Sequence, residues 1–159
     1  SARMDVFLCA RARFFLGCTS GLAFLASIFG VPIAHANMIP VETLGVRYCD
    51  LSIPKKLWST RLKRYLSFKE IFEKGHSGYF FSHQYIDAGI RVDENDANDI
   101  LDLVLEMLSR LNGLHVETED DSALQNAYKG FFLSGHYSSG TTSRICAAYL
   151  RRYREFLIE

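Results

Sequence analysis

Apolar runs alternate with small polar turns along the chain, most plainly within the first 40 residues. An apolar run at 14–16 meets the turn Gly17-Cys18-Thr19-Ser20-Gly21. An apolar segment at 22–29 follows and stops at Gly30, and a second strand-like run, 31–36, ends at Asn37 and Pro40. Strand, Gly/Ser/Thr turn, helix, Gly stop and strand, in that order, predict a parallel βαβ unit. Runs 14–16 and 31–36 are then neighbouring parallel strands, and 22–29 is the crossover helix that such a pair requires. The predicted fold class is α/β: a parallel, Rossmann-like sheet with flanking helices.

Further along, Ser67 with Glu70 three residues on forms a capping-box pattern that opens a helix over 68–74, stopped by Gly75. The stretch 78–85 is rich in aromatics, and Tyr79, Phe80 and Phe81 are expected in the core. A short edge strand is expected at 90–92. Asn95 is expected to cap a helix over 96–111, whose apolar positions Ala97, Ile100, Leu101, Val104, Met107, Leu108 and Leu111 follow helical spacing. Gly113 ends it, and Asp96 and Asp99 suit the positive end of its dipole. Helices are also expected over 5–12, 124–133 and 141–157, the last one solvated around Tyr149, Arg151, Arg152 and Arg154.

The opening stretch also admits an export reading. Arg11 and Arg13 resemble a basic leader, residues 14–33 an apolar core, and Ala34-His35-Ala36 a cleavage site, which places the mature start at Asn37. Residues 17–21 break that core, and its length exceeds the roughly 7–15 residues usual for a signal peptide. The βαβ reading is therefore preferred.

Composition adds little beyond bounds. The 159 residues fit one domain, 48% are hydrophobic and 23% charged, and the formal net charge is zero. No bulk positive charge suggests a nucleic-acid partner. Cys9, Cys18, Cys49 and Cys146 form no CxxC pair, which suits reduced thiols in the cytoplasm better than a disulfide framework or a zinc site. The chain opens on Ser1, and a C-terminal piece of a longer protein is expected.

The sequence FFLGCTSGLAFLASIFGVPIAHANMIP resembles the phosphate-loop region in the C-terminal domain of GT-B fold glycosyltransferases. IPKKLW, LSFKEIFEKG, YFFSHQYIDAGIRVDENDANDILDLVLEMLSRLNG and ETEDDSALQNAYKGFF are similar to the tail of one bacterial group of such enzymes, associated with surface polysaccharide. The resemblance implies an incomplete C-terminal GT-B domain: residues 1–113 a partial nucleotide-sugar-binding Rossmann-like domain, residues 114–159 a helical extension packing on it. It implies a nucleotide-sugar donor as substrate, with no further cofactor or metal. A glycan or lipid-linked acceptor would be held by a missing N-terminal domain that would also supply the base, so the chain alone should be inactive. The implied location is cytoplasmic, or peripheral at the inner membrane. Related sugar transferases often carry an acidic residue in the turn, where this chain has Cys18-Thr19-Ser20.

Gly17, Thr19, Ser20 and Gly21 are the candidate donor-diphosphate residues, because a helix start offers unpaired N–H groups and small residues allow close approach. Thr19 or Ser20 also suits a plain N-cap. His35 and Asn37, at the end of the second predicted strand, are candidate donor-site residues, since ligands gather at the carboxyl ends of parallel strands. Lys55 and Lys56 are candidates for neutralising phosphate. No catalytic residue is identified. His76, His83 and His136 lack metal-ligand spacing. Two competing functions remain: a non-catalytic nucleotide- or phosphate-binding α/β module, and an exported protein whose signal peptide ends near Ala36.

Overall fold

The computed structural model describes residues 2–45, 47–133 and 135–158. Helix α1 (Ala2–Arg11) leads into β1 (Phe15–Gly17), α2 (Gly21–Ile28) and β2 (Ile33–Met38), so the expected βαβ unit is present. The strands are parallel, with Phe15 opposite Ile33 and Gly17 opposite His35. Gly30, at φ +78, ends α2 in the left-handed conformation that glycine adopts without a Cβ clash. Residues 14–33 therefore do not form one helix, and among the described residues no helix is long and apolar enough to cross a membrane.

The chain continues through β3 (Leu51–Pro54), β4 (Lys56–Ser59), β5 (Arg64–Tyr65), α3 (Phe68–Glu73), α4 (Ser82–Asp87) and β6 (Ile90–Asp93). Then come α5 (Ala97–Leu111), α6 (Glu119–Lys129), β7 (Arg144–Ile145), α7 (Ala147–Arg152) and α8 (Glu155–Ile158). The main sheet is wholly parallel in the order β1-β2-β3-β7, and a small antiparallel sheet runs β5-β4-β6. The strand expected at 90–92 is thus β6, on the edge of the small sheet.

Strand alternation divides β2 between two environments. Ala34 and Ala36 face a core shared with Leu51, Ile53, Leu103, Met107, Tyr128 and Tyr149, all buried. Ile33 and His35 face the side on which α2 lies. A smaller cluster of Cys9, Ala26 and Val31 joins α1 to α2. Outside it, Phe7, Leu8, Phe24 and Ile28 are exposed.

Several expectations are corrected. Phe80 and Phe81 are exposed, and only Tyr79 of that trio packs against the core. The cap of α5 is Asp96, whose side chain accepts from the Asp99 N–H, while Asn95 is engaged elsewhere. The inward stripe of α5 is Asp99, Leu103, Glu106 and Met107, and Leu101 lies exposed. Two acids tolerate burial there because they are partnered. Glu106 accepts from the Ala147 N–H at 2.7 Å, and Asp99 accepts from Arg152. Residues 141–157 are not one helix: they supply β7, α7 and α8, and Tyr149 is fully buried.

Candidate functional site

A cavity of about 410 Å³ lies beside α2 on the face of the main sheet opposite α5. One wall is a single face of α2: Ser20, Ala23, Phe24 and Ser27, the spacing that aligns side chains along a helix. The floor is Ile33 and His35 of β2. The opposite wall comes from two distant loops, Thr43 to Gly45 and Tyr137 to Thr141. Hydrogen bonds fasten these loops together. The Ser138 hydroxyl donates to the Glu42 carbonyl at 2.9 Å and the Thr141 hydroxyl to the Gly45 carbonyl at 2.7 Å. Thr43 and Tyr137 share a hydrogen bond at 3.1 Å between their hydroxyls.

The cavity runs from the carboxyl end of β1 and β2, at Thr19, Ser20 and Met38, toward the start of β2 and β3, at Ile33 and Asp50. From Ser20 to Ser27 it follows seven residues of helix, about 10 Å. Ser20 occupies the N-cap position of α2 with extended backbone, yet its hydroxyl makes no capping bond. Its carbonyl accepts from Ala23 and Phe24, and the N–H groups of Gly21 and Leu22 have no acceptor among the described residues. Two backbone donors and a hydroxyl are thus unengaged at the positive end of the helix. The Thr19 hydroxyl is committed to the Ile39 carbonyl at 3.1 Å.

His35 is the most telling group in the wall. It is 8% exposed, and its Nδ1 has no hydrogen-bond partner among the described residues. Burial holds its pKa below the ordinary value, against the opposing pull of nearby Asp50, so the imidazole is neutral at pH 7. Its register partner on β3, Ser52, is fully buried, and its hydroxyl is also unpartnered. Buried polar atoms without partners are uncommon, and two side by side on one sheet face call for an explanation. Asp50 is 1% exposed and is held by the backbone N–H groups of Ile33 and Arg47, both at 3.0 Å.

Of the residues singled out in the sequence, Thr19, Ser20 and His35 meet in this cavity. Gly21, the first residue of α2, follows Ser20 but does not itself line the cavity, and a Cβ there would meet nothing within 4 Å. Gly17 does not line it. A Cβ on Gly17 would come within 2.5 Å of the Phe15 ring, so the glycine makes room for that ring. Asn37 sits at φ 55 and is clasped to Asn95. Lys55 pairs with Glu94 at 2.7 Å. Lys56 donates to the Tyr153 hydroxyl at 2.8 Å and faces Asp99 at 3.6 Å. No lysine or arginine lines the cavity among the described residues. Sequence reasoning missed the loop residues Thr43, Tyr137 and Thr141 and the acid Asp50, because nothing local marks a long-range wall.

Comparison with protein-family models, curated proteins and solved structures finds no match to this chain. The four free cysteines form no disulfide, and Cys9 and Cys146 are buried. No group of three or more His, Cys, Asp or Glu side chains suited to a metal ion occurs among the described residues.

Proposed function

We propose that the chain is the donor-binding part of a glycosyltransferase that draws on a nucleotide-sugar to build bacterial surface glycan. The observation that carries this reading is the unengaged start of α2 opening into a cavity at the carboxyl end of parallel strands, with an unpartnered histidine in its wall. The family resemblance of the turn supports it. In this reading the diphosphate rests at the mouth on the N–H groups of Gly21 and Leu22 and the Ser20 hydroxyl. With no lysine or arginine in the wall among the described residues, the helix start supplies the stabilisation, and the departing diphosphate is held by fixed dipoles that need no rearrangement during reaction. The acceptor, a glycan or lipid-linked sugar, and the catalytic base belong to a separate half of the enzyme.

The test is calorimetric titration of the chain with nucleoside diphosphates and nucleotide-sugars. Binding that weakens in Ser20→Ala without loss of fold is expected. Failure of every nucleoside diphosphate to bind would sink the reading. Transfer by the chain joined to an acceptor half separates an enzyme from a non-catalytic nucleotide-binding module of the same fold.

A further inference from the structure

The small antiparallel sheet ends on an open edge. Strand β6 pairs with β4, and among the described residues no strand pairs with its other side. The Thr60 N–H donates to the Gly89 carbonyl at 2.9 Å, which sets the alternation of the ladder. Arg91 and Asp93 therefore exchange hydrogen bonds with Trp58 and Lys56, while Ile90 and Val92 direct their N–H and C=O groups away from β4. Those outward groups have no partner among the described residues. A groove of about 570 Å³ is lined by Ile90, Arg91 and Val92 of β6 and by Phe80, Tyr85 and Ile86 at α4. Consecutive residues of a strand face opposite sides of a sheet, so a groove touching all three follows the edge itself. Phe80 and Ile86 are 75% and 72% exposed.

We propose that this edge pairs with the same edge of a second copy of the chain, joining the two small sheets into one across a two-fold axis. Unpaired backbone groups at alternate residues fit another strand, and the charges of β6 say which one. In antiparallel pairing centred on Val92, Val92 exchanges two hydrogen bonds with the partner's Val92. Arg91 then stands directly opposite the partner's Asp93, and Asp93 opposite the partner's Arg91, at the closely spaced positions where side chains interact. Within one strand Arg91 already reaches Asp93 at 2.7 and 2.9 Å, so the four charges alternate in sign and neither existing pair is given up. Moving the centre by one residue sets Arg91 against Arg91 or Asp93 against Asp93, which is unfavourable. Charged side chains on an edge ordinarily deter pairing; here they admit a strand of this sequence in one register and oppose its neighbours. The entering strand also covers Phe80 and Ile86. The dimer is independent of the donor-binding reading, since β6 belongs to the other sheet and lines none of the cavity beside α2.

Sedimentation equilibrium of the unmodified chain over a concentration series measures the association, and amide hydrogen exchange locates it. A monomer–dimer equilibrium is expected, with exchange at Ile90 and Val92 slowing about tenfold or more toward the dimeric end of the series. Arg91→Asp and Asp93→Arg each set like charges opposite one another, and each alone should weaken self-association about tenfold or more. Combined in equal amounts, the two variants regain opposite charges at both positions, so a one-to-one heterodimer should form that neither makes with itself. Should either variant fail to fold, Val92→Pro removes an outward N–H without touching the ladder to β4, and should also leave a monomer. A chain monomeric at every concentration overturns the dimer and leaves the edge to a strand of another protein. A dimer that survives these substitutions, with Ile90 and Val92 unprotected, overturns it by placing the contact elsewhere. Charge variants that weaken self-association yet fail to pair with each other overturn the register centred on Val92.

Discussion

Asn37 and Asn95 exchange two hydrogen bonds. Each side-chain oxygen accepts the other residue's backbone N–H, at 2.6 and 2.7 Å. The Asn95 amide also donates to the Pro54 carbonyl at 2.8 Å, so one pair of side chains ties the carboxyl ends of β2 and β3 to the start of α5. Asn37 can do this because it sits at φ 55, a left-handed conformation that asparagine tolerates better than most residues.

Asn37→Ala should therefore cost about 2–5 kcal/mol. It leaves the Asn95 N–H without its acceptor, about 1–3 kcal/mol, and forces an alanine Cβ into left-handed backbone, about 1–2 kcal/mol. Asn37→Gly removes the same acceptor but not the conformation and should be the milder change by about 1 kcal/mol. Urea denaturation of the two variants checks the order. Equal midpoints would show that the backbone conformation carries no penalty.

Asp99 anchors the C-terminal helices. It is fully buried and accepts from Arg152 and, at 3.1 Å, from the Tyr153 hydroxyl; Arg152 also reaches Asp102. Asp99→Ala should cost about 3 kcal/mol, because it leaves Lys56 and Tyr153 facing a partly buried gap. Arg152→Ala should cost less, about 1–2 kcal/mol, because Lys56 at 3.6 Å and the Tyr153 hydroxyl at 3.1 Å still face the buried carboxylate. Thermal melts of both variants test the asymmetry, and a larger loss in the arginine variant would contradict it.

Glu70 closes the capping box of α3, accepting from the Ser67 N–H at 3.0 Å and from Arg64 through both carboxyl oxygens. The Arg64 hydrogen bonds, against a smaller opposing effect of burial, hold its pKa down to about 2 from 4.5. A carboxyl depressed in the folded state stabilises above its unfolded value and loses that contribution as pH falls through the folded one. Between pH 4.5 and 2, the wild type should lose stability that Glu70→Gln lacks throughout. At pH 7 the difference should be about 0.5–1 kcal/mol, the scale of a partly exposed pair. Melting temperatures that fall in parallel for both proteins over that window would remove Glu70 from the acid response.

The βαβ unit and the small sheet's edge strand were legible in the sequence because each has a local period and a local stop, such as Gly30 after α2. The strand β7 was not: two residues carry no period, and Arg144 and Ile145 pair with Leu51 and Ser52, more than 90 positions away. The same distance hid half of the cavity. Thr19 and Ser20 were found from their turn and His35 from its place on a strand, but Tyr137 reaches Thr43 only through the fold. Lys55 and Lys56 show the converse. Their charge suggested phosphate, but their partners, Glu94 just after β6, Asp99 on α5 and Tyr153 just after α7, were invisible along the chain. The stripe of α5 misled because Asp99 and Glu106 look like surface residues until Arg152 and the Ala147 N–H are brought to them.

Ser20 and Gly21 allow binding to be separated from folding. The Ser20 hydroxyl makes no capping bond, so Ser20→Ala should shift stability by less than about 0.5 kcal/mol, unlike the loss of a working cap. A Cβ on Gly21 would meet nothing within 4 Å, so Gly21→Val also has room to fold. Ser20 nevertheless lines the cavity mouth and Gly21 follows it at the helix start, so in the donor-binding reading both stand beside the diphosphate. Removing one hydrogen bond to a charged phosphate costs about 1.5–3 kcal/mol, or about 10- to 150-fold in affinity for a nucleoside diphosphate. Gly21→Val should cost more, because its branched side chain stands in front of the two free N–H groups. Lys74→Ala, at an exposed side chain that pairs with Glu70 far from α2 in the sequence and outside the cavity lining, is the control and should leave affinity unchanged. Calorimetric titration beside thermal melts reads both quantities. Unaltered affinity in the two turn variants, with folds intact, would remove the start of α2 from the site.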